Sequence, residues 1–226
     1  LYCMEYYYMD INGEYGSPTY KFASGTTGAT VSEKPKTEKG YHIDTDKSIL
    51  SGIIASDGSL VLKVYYARNK YTITFNGNGG TVNGKSSVSE SYYHGAAVAS
   101  PTDLQKNGYT FSGWDTAVVS PAAADAVYNA QWKANSYKVT YIVDGNEIHA
   151  DSFAYGEVTV PYDYVPQKTG CTFTGWVNDL PETMPANDII RTASWSVNSY
   201  NAKFYIDIDA ADYETVSVEY GSEIIP

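Results

Sequence analysis

Few residues in this chain could carry out chemistry. His42, His94 and His149 are its histidines and Cys3 and Cys171 its cysteines, the side chains best suited to act as base, nucleophile or metal ligand near neutral pH. No histidine stands at a metal-ligand spacing from another histidine or a cysteine. His94 precedes Gly95 in the slot where Tyr155 and Tyr220 precede Gly156 and Gly221, so the position takes a ring. Cys171 stands where Tyr109 and Tyr41 stand elsewhere in the chain, which points to packing as a small hydrophobe rather than to a thiolate. The run DIDAADYE (207–214) has oxygens for a weak calcium site, but not the spacing of an EF-hand loop. Its Asp207 falls where Asn78 and Asp144 mark hairpin turns.

Three further motifs lead back to structure. NGNGG (76–80) lacks the helix and lysine that a phosphate-binding loop needs, and reads as a hairpin turn. LPETM (180–184) approaches the wall-sorting signal Leu-Pro-x-Thr-Gly. It ends instead on Met184 and continues as Pro-Ala-Asn-Asp and more strand. Lys70, Lys138 and Lys203 lie on strands near asparagines, so Lys–Asn isopeptide bonds are open to them. An intact mass low by one ammonia per bond would reveal such a link. No Ser–His–Asp set, carboxylate pair flanking a cleft, or zinc signature is present. The expectation is therefore no catalytic residue, no metal ligand and no cofactor, with the ligand-binding residues unassigned.

Composition supports a scaffold. Tyrosine is abundant, at 23 residues against 6 Phe, which suits pleated, half-exposed surfaces. Hydrophobic residues make up 43% of the chain, enough for a core. The net charge is −11, and arginine occurs only at Arg68 and Arg191. Such a chain repels nucleic acid and anionic membrane surfaces. No run approaches the roughly 18 apolar residues of a membrane span. The opening Leu1 points to a piece of a longer chain.

Self-similarity sets the organisation. GYTFSGW at 108–114 returns as GCTFTGW at 170–176, and Trp132 is matched by Trp195. RNKYTITF (68–75), ANSYKVTY (134–141) and VNSYNAKFY (197–205) open successive units. The units run 70–134, 135–198 and 199–226, the last truncated after its first hairpin. Residues 1–69 are a relative that keeps Gly40-Tyr41 and ends in SLVLKVYYARN. Strands follow from alternation: Tyr71, Ile73 and Phe75; Tyr137, Val139, Tyr141 and Val143; Leu60, Leu62, Val64 and Tyr66; Ala202, Phe204, Ile206 and Ile208. Helix signals are poor, the best being short turns in 101–108 and 120–127. Gly113 inside a strand predicts a bulge that swings Trp114 over a small core.

Units 70–134 and 135–198 resemble the Listeria–Bacteroides repeat, the internalin B-repeat, through FNGNGG (75–80), GYTFSGW, GCTFTGW and TMPANDIIRTASW (183–195). Residues 1–69 resemble the mucin-binding-protein repeat through YYMDINGEYG, GYHIDTD and DGSLVLKVYY. The resemblance implies mainly β modules of β-grasp, ubiquitin-like character in an elongated tandem array, at the bacterial cell surface or outside it. It implies a non-enzymatic spacer and adhesion region touching host or cell-surface protein or glycan. The alternatives are a dedicated mucin- or glycan-binding module and an accessory region of a larger secreted enzyme. Collinear modules should give a radius of gyration of about 25–30 Å in scattering, against roughly 17 Å for one globule of this length.

Overall fold

A computed structural model describes residues 1–205 and 213–224. Every regular element among them is a strand; none is a helix. The two stretches with helix signals, 101–108 and 120–127, contribute short strand segments and bends instead. The chain folds into two compact units. One is Leu1–Lys106 with Phe111–Trp132, and the other is Asn107–Thr110 with Lys133–Pro226.

The first unit holds two four-stranded sheets of one topology. In the first, β1 (Tyr2–Tyr8) pairs antiparallel with β2 (Thr19–Ala23) and parallel with β6 (Val61–Arg68). The far edge is β4 (Tyr41–Ile43), antiparallel to β6. A ribbon of β3 (Thr30–Ser32) and β5 (Ser51–Ile53) lies in the crossover. The second sheet has β7 (Lys70–Asn76) between β9 (Ser87–Tyr93), antiparallel, and β12 (Ala126–Ala134), parallel, with β11 (Tyr109–Trp114) beyond β12. A short ribbon joins β8 (Thr81–Val82) to β10 (Leu104–Gln105). A β-grasp fold covers such a parallel pair with a helix. Here the crossover is loops and ribbons, because its segments carry Gly, Pro and polar residues without helical periodicity.

The second unit repeats the arrangement once. β13 (Ser136–Val143) lies between β14 (Asn146–Ala154), antiparallel, and β16 (Ile189–Val197), parallel. β15 (Cys171–Val177) forms the edge beyond β16. β17 (Ser199–Tyr205) and β18 (Tyr213–Glu219) then form an antiparallel hairpin.

Strand alternation positions the cores as the sequence predicts. Leu62, Val64 and Tyr66 are buried on one face of β6, with Met4 beside them on β1. Ile73 and Phe75 are buried with Val82, Val98, Ala122 and Tyr128, and Trp114 packs on this cluster. Val139, Tyr141 and Met184 form the equivalent cluster under Trp176. Of the β17 residues expected on one face, Ala202 and Phe204 are half-buried, whereas Ile206 and Ile208 lie outside the described residues. Each cluster is small. Burying one such side chain is worth about 1.5–3 kcal/mol, so a core of this size leaves little margin.

The glycine inside each aromatic cassette does what its oddness in a strand implies. Gly113 and Gly175 have φ of 136° and 131°, which L side chains rarely adopt. The β15–β16 register slips between Phe173 and Gly175, which is a bulge. A Cβ at either glycine would meet open space, so the backbone angle alone requires glycine. Beyond the kink, the Trp114 ring reaches Phe75 at 4.9 Å and Phe111 at 5.2 Å. Trp176 reaches Tyr141 at 5.0 Å and Phe173 at 5.4 Å.

Candidate functional site

The chemistry-bearing residues are dispersed by the fold. His42 is exposed, with Nδ1 2.8 Å from the Asn69 side-chain oxygen. The His94 ring faces Tyr71 edge-on. His149 Nε2 lies 2.9 Å from an Asp151 oxygen, and its ring stacks on Tyr162 at 4.0 Å. This is a His–carboxylate pair, but the ring nitrogen that would face a nucleophile has no described partner. Cys3 and Cys171 are free thiols, both half-buried. No group of three His, Cys, Asp or Glu among the described residues could hold a metal ion. Met184 of LPETM is 1% exposed; its N–H donates to Glu157 O and its carbonyl accepts from Gly156 N–H. That segment is built into the fold and is no processing signal. NGNGG is a hairpin loop with Asn78 at φ 47°. The carboxylate run 207–214 lies outside the described residues except for Tyr213 and Glu214. The Lys70 ammonium sits over the Tyr93 ring at 4.7 Å.

A recurring arrangement does stand out, and reading the motifs one by one does not reveal it. Asn69, Asn135 and Asn198 each precede an opening strand. Their backbone N–H groups donate to Gly40 O, Gly108 O and Gly170 O, all at 2.9 Å. Their carbonyls accept from the N–H of His94, Tyr155 and Tyr220, all at 2.8 Å. The Asn135 and Asn198 side-chain oxygens accept from the Thr110 and Thr172 hydroxyls at 2.6 Å, as Asn69 meets His42. The rings of His94, Tyr155 and Tyr220 lie against the three glycines so closely that a Cβ there would overlap them. The glycines also have φ of 81°, 77° and 71°. Each clasp thus needs glycine twice, for its backbone angle and for the ring. The first clasp lies within the first unit and the other two within the second. In the first, Arg68 adds bonds to Met9 O at 2.8 Å and His94 O at 2.6 Å.

Tyrosines crowd the first sheet. Tyr7 stacks on Tyr65 at 4.3 Å and Tyr8 on Tyr66 at 4.7 Å. Tyr15 meets Tyr65 edge-on and bonds the Asp44 carboxylate at 2.9 Å. Burial, together with the Glu33 carboxylate that accepts its hydroxyl at 3.0 Å, pushes the Tyr6 phenol up to about 12. The hydrogen bond to Glu5 raises Tyr7 further, and burial with the Asp44 bond raises Tyr15. These phenols stay neutral and donate to carboxylates. Of these, Tyr6 lines a cleft of about 300 Å³, with Tyr8 and Tyr66 beside it on the wall and Lys21, Glu33 and Lys36 at its polar parts.

Comparison with known proteins adds the lineage. The model of the Listeria-Bacteroides repeat domain matches residues 71–131 and again 137–194. The chain belongs to the Listeria-Bacteroides repeat family. The two matches coincide with the two sheets that carry the Gly-Trp cassettes. Among similar proteins is one that its name describes as a membrane protein of Evansella cellulosilytica, 28% identical over 197 residues, 74% of this chain and 27% of that one. A glycine-rich protein of the same organism, also named for the membrane, is 24% identical over 207 residues, 82% of this chain and 24% of that one. Internalin H of Listeria monocytogenes is 30% identical over 120 residues, 45% of this chain and 22% of that one. The chain therefore spans about a quarter of the length of the relatives it matches. As a Listeria-Bacteroides repeat protein it is a bacterial, β-rich repeat chain. No helix among its described residues is long and apolar enough to cross a membrane.

Proposed function

We propose that this chain is a non-enzymatic repeat region of a bacterial surface protein, acting as spacer and as adhesive contact. Its modules would be 1–69, 70–134, 135–198 and a further repeat beginning at 199. The observation that carries the reading is the clasp at Gly40, Gly108 and Gly170, which ties each opening strand to the preceding glycine turn through the same two backbone bonds and a side-chain contact to the asparagine. A chain built by repeating one junction is suited to extension and display rather than to closing one catalytic cleft. The relatives named for the membrane and Internalin H favour an extracellular or cell-surface setting. Pulling the full chain by its ends should give separate unfolding events, one per module; a single all-or-none rupture would overturn the modular reading. Displayed on a non-adherent bacterium, the chain should raise attachment to protein-coated or glycan-coated surfaces. Unchanged attachment on both would remove the adhesive role.

Within that reading, glycan contact is favoured at the first module. The tyrosine-walled cleft with Lys21, Glu33 and Lys36 offers flat apolar faces beside donors and acceptors. That combination suits a sugar ring, and residues 1–69 resemble mucin-binding repeats. A glycan array probed with the full chain and with Tyr8→Ala tests it. Equal signals from both proteins would place glycan contact elsewhere.

A further inference from the structure

The two family repeats differ in the turn after their opening strand, and this difference uncovers a backbone edge. In the repeat at 71–131 the turn after β7 is long. It places Gly80 against the Trp132 ring, and the indole N–H donates to Gly77 O at 2.8 Å. It continues into β8, which pairs with β10 so that Thr81 faces Gln105 and Val82 faces Leu104. In the repeat at 137–194 the same turn is only Asp144 and Gly145, between β13 and β14. The surroundings otherwise match. Phe173 lies 5.7 Å from Trp195, as Phe111 lies 5.8 Å from Trp132. Lys168 stands over Trp195 at 5.6 Å, as Lys106 stands over Trp132 at 5.9 Å.

Two groups lose their partners as a result. The Trp195 indole nitrogen is buried and has no hydrogen-bond partner among the described residues. The backbone of Val165 and Gln167, in the place of Asp103 and Gln105, takes part in none of the described hydrogen bonds. Buried donors are nearly always bonded, so an orphaned indole calls for an explanation. Pro166 does not block the edge. Asn83 N–H donates to Asp103 O, which puts Leu104 opposite Val82 at a non-bonded position of the ladder. Pro166 holds the place of Leu104, so its missing N–H is not needed there. Tyr164 and Val165 are exposed at this edge and supply an apolar rim.

We propose that the edge at Val165–Gln167, together with Trp195, takes an extended segment of a partner protein as an added strand. The first repeat shows the occupant, because its own Gly77–Val82 fills the equivalent place. The segment is antiparallel to 165–167, gives a carbonyl to Trp195, and bonds Gln167 on both its N–H and its C=O. It carries glycine where it passes the indole, since a Cβ at Gly80 would come 2.5 Å from the Trp132 ring. The pattern sought is Gly-x-x-Gly-x-Val in an unpaired stretch. This deepens the protein-contact half of the reading above and rests on it.

The test is titration of the ¹⁵N-labelled full chain with the capped peptide NGNGGTVN, the sequence of residues 76–83. The Trp195 indole and Gln167 amide resonances should move together, and both protons should exchange more slowly. The Trp132 indole, already bonded, should not move. A peptide with proline in place of Thr81 loses one backbone donor and should bind about fivefold more weakly. Still resonances at Trp195 and Gln167, or equal affinity for the proline peptide, would overturn the site. Either result leaves the attachment and pulling experiments untouched, so failure here is distinguishable from failure of the surface-protein reading.

Discussion

A single asparagine holds three bonds at each junction, so the residue scale is where the fold is most exposed to substitution. Asn198→Ala removes the acceptor of the Thr172 hydroxyl and keeps both backbone bonds. It should cost about 1 kcal/mol in denaturant unfolding. Gly170→Ala should cost more, about 1–3 kcal/mol, because it adds αL strain at φ 71° and a methyl against the Tyr220 ring. The order of the two losses is the check. If Asn198→Ala were the worse, the ring–glycine contact would not be the rigid half of the clasp. The asparagines were legible as letters in RNKY, ANSY and VNSY. Their role was not, because the partners lie 20 to 29 residues away, one on each side in sequence, and no local pattern links them.

Strands carry the next level of argument. Period-two alternation placed Ile73, Phe75, Val139, Tyr141, Leu62 and Val64 correctly, since each strand has one face against a core. The kink was also legible: the bulge is expected at Gly113, where φ is 136°, and the register slip itself falls at its repeat counterpart Gly175. Gly175→Ala should lower stability by about 1–3 kcal/mol through backbone strain alone, its Cβ meeting no atom. The crossovers were illegible as ribbons: β3, β5, β8 and β10 are two or three residues long, below the length at which alternation shows. The unpaired indole of Trp195 escaped as well, since Trp132 and Trp195 occupy the same slot and differ only in what a distant turn brings to them.

The pH response of the tyrosine-rich sheet belongs to this scale too. Tyr6 titrates near 10 when unfolded and is pushed up to about 12 when folded. The folded state therefore holds the proton more tightly. That contribution is intact below pH 10 and is lost as pH rises through about 12. Tyr7 and Tyr15 shift the same way. Fluorescence-monitored unfolding should show stability falling above pH 10, and Tyr6→Phe should flatten the fall. A profile unchanged by Tyr6→Phe would mean that the Glu33 bond does not hold the phenol.

For the whole molecule, charge is the governing quantity. With 26 acidic and 15 basic side chains the chain repels itself at neutral pH. Raising ionic strength from about 0.01 to 0.15 M shortens the screening length from about 30 to 8 Å. The melting temperature should therefore rise with salt, and a fall would show that ion pairs such as Lys168–Asp144 outweigh the net repulsion. The same charge predicts no retention on duplex DNA at any salt.

The recurring clasp has one more implication, for how such chains change over generations. Its complementary halves sit on neighbouring stretches of sequence, and the Asn-Gly backbone bonds are the same at all three sites. Looping out or copying one whole segment of coding sequence would leave every surviving junction with a matching counterpart. Copy number can thus drift without any interface being reinvented, each added or lost segment bringing or removing both halves of one junction.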